Sequence, residues 1–184
     1  MTEEPGSSQN RQQSRESIWI IGDSYVRRGE QRAMQTIGSN LGLDASVQWF
    51  GSGGLRWRNL LPFFHQSLPG RTLLDVLIIV CGSNDMGKIT GLELVAAMKR
   101  YLQHLHQKFP GMVIILSSIS SRRRWRAANP GRLNKSRKWV NSVMNTFMKD
   151  LGGSTVSHPY INFDIPGLFL HDGVHFTAMG NDIF

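Results

Sequence analysis

Apolar residues along the chain gather in runs of two kinds, and the two kinds alternate. Ser17–Ile21, Val47–Phe50, Leu73–Cys81 and Met112–Leu116 are short, nearly unbroken runs with many β-branched residues, the pattern of buried strands. Leu73–Cys81 is apolar at almost every position, which predicts that both its faces are covered, as in a parallel sheet. Between these runs the apolar residues take a helical spacing. Tyr25–Leu43 carries Val26, Met34, Ile37 and Leu41, and Leu55–Leu68 carries Leu60, Leu61 and Phe64 with Pro62 among them. Gly91–Phe109 carries Leu94, Val95, Met98, Leu102 and Leu105 before Pro110-Gly111; Leu133–Leu151 carries Val140, Val143, Met144, Phe147 and Met148 before Gly152-Gly153. These predict four helices, and residues 177–184 read as the start of another. Strand and helix in alternation predict an α/β fold, a three-layer α/β/α sandwich on a mostly parallel sheet with right-handed crossovers. Residues 1–16 are rich in Ser, Gln, Glu and Arg with no apolar periodicity, as in a flexible lead-in or linker. Residues 17–184 then form a single domain.

Three predicted strands empty into small polar clusters: Gly22-Asp23-Ser24, Gly51-Ser52-Gly53-Gly54 and Gly82-Ser83-Asn84-Asp85. In open α/β sheets ligands bind outside the carboxyl ends of the strands, so the three clusters belong to one rim. Gly-Asp-Ser by itself is ordinary turn chemistry. It gains meaning from His171-Asp172-Gly173-Val174-His175 near the end of the chain. Serine is a weak nucleophile until an imidazole takes its proton, and the imidazole works best when a carboxylate fixes its tautomer. Ser24, His175 and Asp172 supply those three groups. A tetrahedral intermediate also needs hydrogen-bond donors, which a glycine-rich backbone and the Asn84 amide provide without adding charge. Gly51, Gly53 and Gly54 all remain candidates for the backbone donor. Asp23 is read as bracing the turn that presents Ser24.

In order along the chain, these clusters resemble the SGNH or GDSL family of esterases and lipases, whose four name-giving residues fall here on Ser24, Gly53, Asn84 and His175. The resemblance runs from about Ser17 onwards. It implies the flavodoxin-like SGNH hydrolase fold and ester hydrolysis without a cofactor. Ser24 would attack the acyl carbonyl, His175 would be the general base and Asp172 would orient it. The oxyanion hole would combine the backbone amides of Ser24 and Gly53 with the Asn84 side chain; Gly53 is preferred because Ser52-Gly53 fits the family pattern. Residues 17–24 with Arg27-Arg28-Gly29, and Asp172-Gly173-Val174-His175-Phe176-Thr177, look like the esterase domain in first-open-reading-frame proteins of vertebrate LINE retrotransposons. That implies a ribonucleoprotein component that self-associates through regions outside this chain.

Charge adds a second theme. Lys and Arg number 21 against 13 Asp and Glu, a net charge of +8, which attracts polyanions without saying anything about fold. Arg122, Arg123, Arg124 and Arg126 surround Trp125 in a loop on the rim that carries Ser24. They are candidate contacts for RNA or an anionic membrane, with arginines on phosphates and the ring stacking. The rival function is accordingly an RNA- or membrane-associating module with a vestigial hydrolase site; the favoured one takes a small ester or lipid substrate, short-chain and acetyl-like because no long apolar lid is evident.

Other chemistries fit less well. Gly82–Lys88 spells G-x-x-x-x-G-K after a strand, but Ile89 stands where a hydroxyl should hold magnesium and Asp85 puts negative charge in the loop. His171 with His175, and His104 with His106, lack the three or four convergent ligands of a metal site, so no metal is expected. The lone Cys81 excludes an internal disulfide framework. No run reaches the roughly 18 apolar residues of a membrane span, and no signal-like segment opens the chain. A soluble, cytoplasmic protein is expected.

Overall fold

A computed structural model describes residues 15–68, 74–126 and 129–184. Five strands, β1 (Ser17–Gly22), β2 (Ser46–Gly51), β3 (Val76–Val80), β4 (Val113–Ser117) and β5 (Ser154–Val156), form one sheet in the order β2-β1-β3-β4-β5. Every pairing is parallel. The helices are α1 (Ser24–Gln35), α2 (Trp57–Ser67), α3 (Gly91–Lys108), α4 (Pro130–Leu151) and α5 (Ala178–Ile183).

Alternation along the strands assigns the two faces. Trp19, Ile21, Leu77, Ile79, Ile114 and Leu116 pack with Trp57, Leu60 and Phe64 of α2, with Leu94, Met98 and Leu102 of α3, and with Val140, Met144 and Met148 of α4 in the main core. Ile20 and Val47 point the other way and meet Val26 of α1, and α5 lies against α1. The sheet is therefore covered on both sides, as the unbroken apolar strands require. Local chemistry fixes the helix ends. Thr90 and Glu93 form a reciprocal capping box at the start of α3. Asn129 caps α4 ahead of Pro130, and Gly152 closes that helix at φ +82°.

Three differences from the sequence reading have physical causes. The first helix stops at Gln35 rather than Leu43, because Gly38 and Gly42 turn the chain through positive φ. Met34 and Ile37, part of the apolar spacing that predicted the longer helix, are 67% and 62% exposed. β5 was not expected: it is a three-residue edge strand beside β4 with no apolar run to announce it. β3 begins at Val76, and Leu73 lies outside the described residues. The lead-in assigned to residues 1–16 also falls almost wholly outside them.

Candidate active site

β1 ends at Gly22 because nothing larger fits: a Cβ there would lie 1.9 Å from the Val80 carbonyl oxygen. The Asp23 amide donates to that same oxygen at 3.1 Å, and Asp23 Oδ1 accepts from the Tyr25 amide at 3.0 Å, capping α1. Asp23 is fully buried and its Oδ2 has no partner among the described residues. Burial pushes its carboxyl up to about 6, against the pull of the Tyr25 amide and the Arg122 charge. The brace expected of Asp23 is thus a helix N-cap. It leaves Ser24 as the first residue of α1, where amides are not consumed by the helix's own bonds and the dipole favours negative charge.

The strand-like return through residues 168–177 brings the imidazole to the serine. Phe169 and Phe176 form an antiparallel bridge; the Leu170 amide donates to His175 O at 2.8 Å and the Thr177 amide to Leu168 O at 3.0 Å. At the tip, Asp172 Oδ1 accepts from the amides of Val174 and His175, both at 2.9 Å. Its Oδ2 lies 2.5 Å from His175 Nδ1, and His175 Nε2 lies 3.1 Å from Ser24 Oγ. Burial alone would raise the Asp172 carboxyl; the imidazole and the two backbone amides outweigh it and hold the group well below the usual carboxylate range. An ionised Asp172 orders the imidazole with Nδ1 as donor and Nε2 facing the serine hydroxyl, the arrangement in which Nε2 accepts its proton.

The other two rim clusters are tied to this one. The Ser52 amide donates to Gly22 O at 2.9 Å, and Asn84 Nδ2 to Leu55 O at 3.2 Å. Asp85, 2% exposed, accepts from Arg56 Nε and from the Trp57 amide, both at 3.1 Å. The loop after β2 is therefore clamped to the loop after β3. Of the three glycines, Gly51 is needed for packing, since a Cβ there would sit 2.5 Å from the Arg27 amide. Gly54 takes the positive φ of the turn, and Gly53 is exposed beside it.

The arginine-rich loop divides. Arg122 and Trp125 are each only 8% exposed, so the tryptophan offers no free ring face to a base or a lipid and Arg122 is not available to a surface phosphate. Arg123 donates to the carbonyls of Phe163 and Ile165 at 3.1 and 3.2 Å. Arg123, Arg124 and Arg126 remain on the surface. Cys81 is buried, and burial raises its thiol well above the ordinary range. His171 is exposed. No cluster of three potential metal ligands occurs among the described residues, and no helix of the described chain is long and apolar enough to cross a membrane.

Sequence reasoning did not single out Tyr25, or the clamping role of Asp85. Tyr25 carried no signal, because its partners Arg122 and Val174 lie 97 and 149 positions away.

Residues 20–183 match the family model described as GDSL-like Lipase/Acylhydrolase family. Among solved structures, the fold is similar to that of a GDSL-like lipase from Bacteroides thetaiotaomicron (TM-score 0.72, 15% identity, covering 91% of this chain and 83% of that one). A carbohydrate acetylesterase from Sinorhizobium meliloti gives TM-score 0.70 at 16% identity, covering 91% and 94%. An aryl esterase from M. smegmatis gives 0.67 at 16%, covering 90% and 93%. No curated protein matches the chain in sequence. Likeness at such identities speaks for the α/β fold, and the family model reaches from β1 to the end of α5; the chain belongs to the GDSL-like lipase/acylhydrolase family and is an ester hydrolase of that family.

Proposed function

We propose that the protein hydrolyses small carboxylic esters, acetyl-like in their acyl group, through an acyl-enzyme on Ser24. The observation that carries this reading is the continuous line from Asp172 Oδ2 to His175 to Ser24 Oγ. In it His175 removes the serine proton as Oγ attacks the carbonyl carbon, then returns that proton to the leaving alcohol. A water activated by the same nitrogen hydrolyses the acyl-enzyme. The amides of Ser24 and Gly53 and the Asn84 side chain stabilise the oxyanion. A short acyl group is favoured because no long apolar lid insertion is evident in the sequence. The wild type is expected to turn over p-nitrophenyl acetate faster than the decanoate and to be labelled by a fluorophosphonate. Ser24→Ala should lose both; equal behaviour of the two proteins would end the reading.

Within the same proposal, the activity belongs to a cytoplasmic retrotransposon ribonucleoprotein, a reading supported by the likeness of residues 17–29 and 172–177 to LINE esterase domains. The surface arginines Arg123, Arg124 and Arg126 would contact RNA. Changing the three to glutamine should weaken salt-sensitive RNA binding in a filter assay and leave ester turnover within about twofold, because none of them lies in the triad. Unchanged binding would return the loop to a solvated surface.

A further inference from the structure

The loop that carries His175 is fastened to the body of the protein at two successive carbonyls. Gly173 O accepts from the Arg124 amide at 2.9 Å, and Val174 O accepts from the Tyr25 hydroxyl at 2.8 Å. Gly173 has φ +68°, and a Cβ there would lie 2.7 Å from Arg124 Cγ, so the bare backbone of Gly173 lies against the stem of the Arg124 side chain. Tyr25 also stacks on Phe176, with ring centroids 4.7 Å apart and planes at 20°. One side chain thus holds the residue before His175 by its hydroxyl and the residue after it by its ring.

Arg122 Nε donates to the Tyr25 hydroxyl at 3.0 Å, with the guanidinium 5.4 Å from the Tyr25 ring and 5.2 Å from that of Trp125. A guanidinium has donors only. It occupies the phenol oxygen as an acceptor, so the phenol proton is directed to Val174 O, and its charge strengthens that bond. Burial also pushes the Tyr25 hydroxyl up to about 12, which keeps it protonated over the working range. Tyr25 is joined directly to Ser24 through the backbone. The same residue therefore registers the loop of the imidazole against the serine.

We infer that Tyr25 and Arg122 are positioning residues for the His175 base: Arg122 orients the Tyr25 hydroxyl, and Tyr25 holds Val174 and Phe176 so that Nε2 stays within reach of Ser24 Oγ. The inference rests on the proposed function only for its catalytic consequence. Misplacing a reacting group by about 1 Å can cost roughly a hundredfold in rate, so loosening one anchor among several is expected to cost about tenfold. Tyr25→Phe keeps the stacked ring and removes the hydroxyl. In Tyr25→Phe, kcat for p-nitrophenyl acetate should fall about tenfold with KM within about twofold. Arg122→Met should fall similarly, and the double variant should be no more than about twofold worse than the poorer single, because Arg122 acts through Tyr25. Amide hydrogen exchange at Val174 and His175 should quicken in Tyr25→Phe while exchange in β1 and β3 does not. Independent, multiplying losses of kcat in the double variant would overturn the relay. Unchanged exchange at Val174 and His175 in Tyr25→Phe would overturn it too, and that readout holds whether or not the wild type hydrolyses the ester. Should Arg122→Met fail to fold, Tyr25→Phe decides by itself.

Discussion

Among the described residues, two serine–histidine pairs stand at or just past the carboxyl ends of strands in this sheet, and their surroundings differ. Ser117, at the end of β4, lies 2.7 Å from His158 Nε2, closer than the 3.1 Å between Ser24 and His175. Yet Ser117 is 5% exposed, and His158 is stacked on Phe184 at 4.2 Å. Burial alone pushes the His158 imidazole down to about 4. His175 has Asp172 behind it, and its serine begins a helix. The shorter bond satisfies buried polar groups. The longer one has a carboxylate against the imidazole and a half-buried rather than buried serine, the two features the proposed nucleophile requires.

That contrast should show first in rate. Asp172→Asn should lower kcat by about a thousandfold or more, since the wrong tautomer then faces Ser24, whereas Ser117→Ala should leave kcat within about twofold and lower the melting temperature. A comparable loss of turnover in Ser117→Ala would erase the distinction. Next in size, Asn84→Ala should cost roughly a hundredfold in kcat with little change in KM; steady-state kinetics giving an unaltered kcat would remove Asn84 from the oxyanion hole.

The smallest effect is on stability. Between about pH 4 and 6 the folded state holds a proton on Asp23 that the unfolded chain has released, so this group makes stability fall as pH rises through that window. His158 does the opposite: the unfolded chain binds a proton that the folded state refuses, so stability rises from about pH 4 towards 6.5. The two slopes oppose each other. In Asp23→Asn the melting temperature should climb more steeply over this window than in the wild type, and in His158→Gln it should climb less or fall, each by on the order of 5 °C. Parallel melting curves for all three proteins would mean that neither group is perturbed.

What was legible in the chain followed from burial and from chemistry that must sit at a strand end. Runs such as Ile78-Ile79-Val80 have no alternative to a doubly covered strand, and Gly82-Ser83-Asn84-Asp85 follows one directly. β5 was invisible because an edge strand of Ser154-Thr155-Val156 need not be apolar. Met34 and Ile37 misled because apolar spacing does not say whether a partner face exists; glycine at 38 and 42 ended the helix first. The arginine run misled for the opposite reason. Sequence shows Arg122 and Trp125 as part of a charged loop, while the fold buries both, Trp125 in the main core and Arg122 against the rings of Tyr25 and Trp125.

Gly22 and Gly51 are partners in the β1–β2 register, and a Cβ on either would strike backbone, Val80 O in one case and the Arg27 amide in the other. At Gly51 the first turn of α1 therefore lies directly on the end of β2, Arg27 backbone against bare glycine, while Val26 beside it packs on Ile20 and Val47. The seat of the helix that begins at Ser24 is part peptide and part side chain, and a methyl group added at Gly51 would push on that turn directly, moving the serine hydroxyl with it.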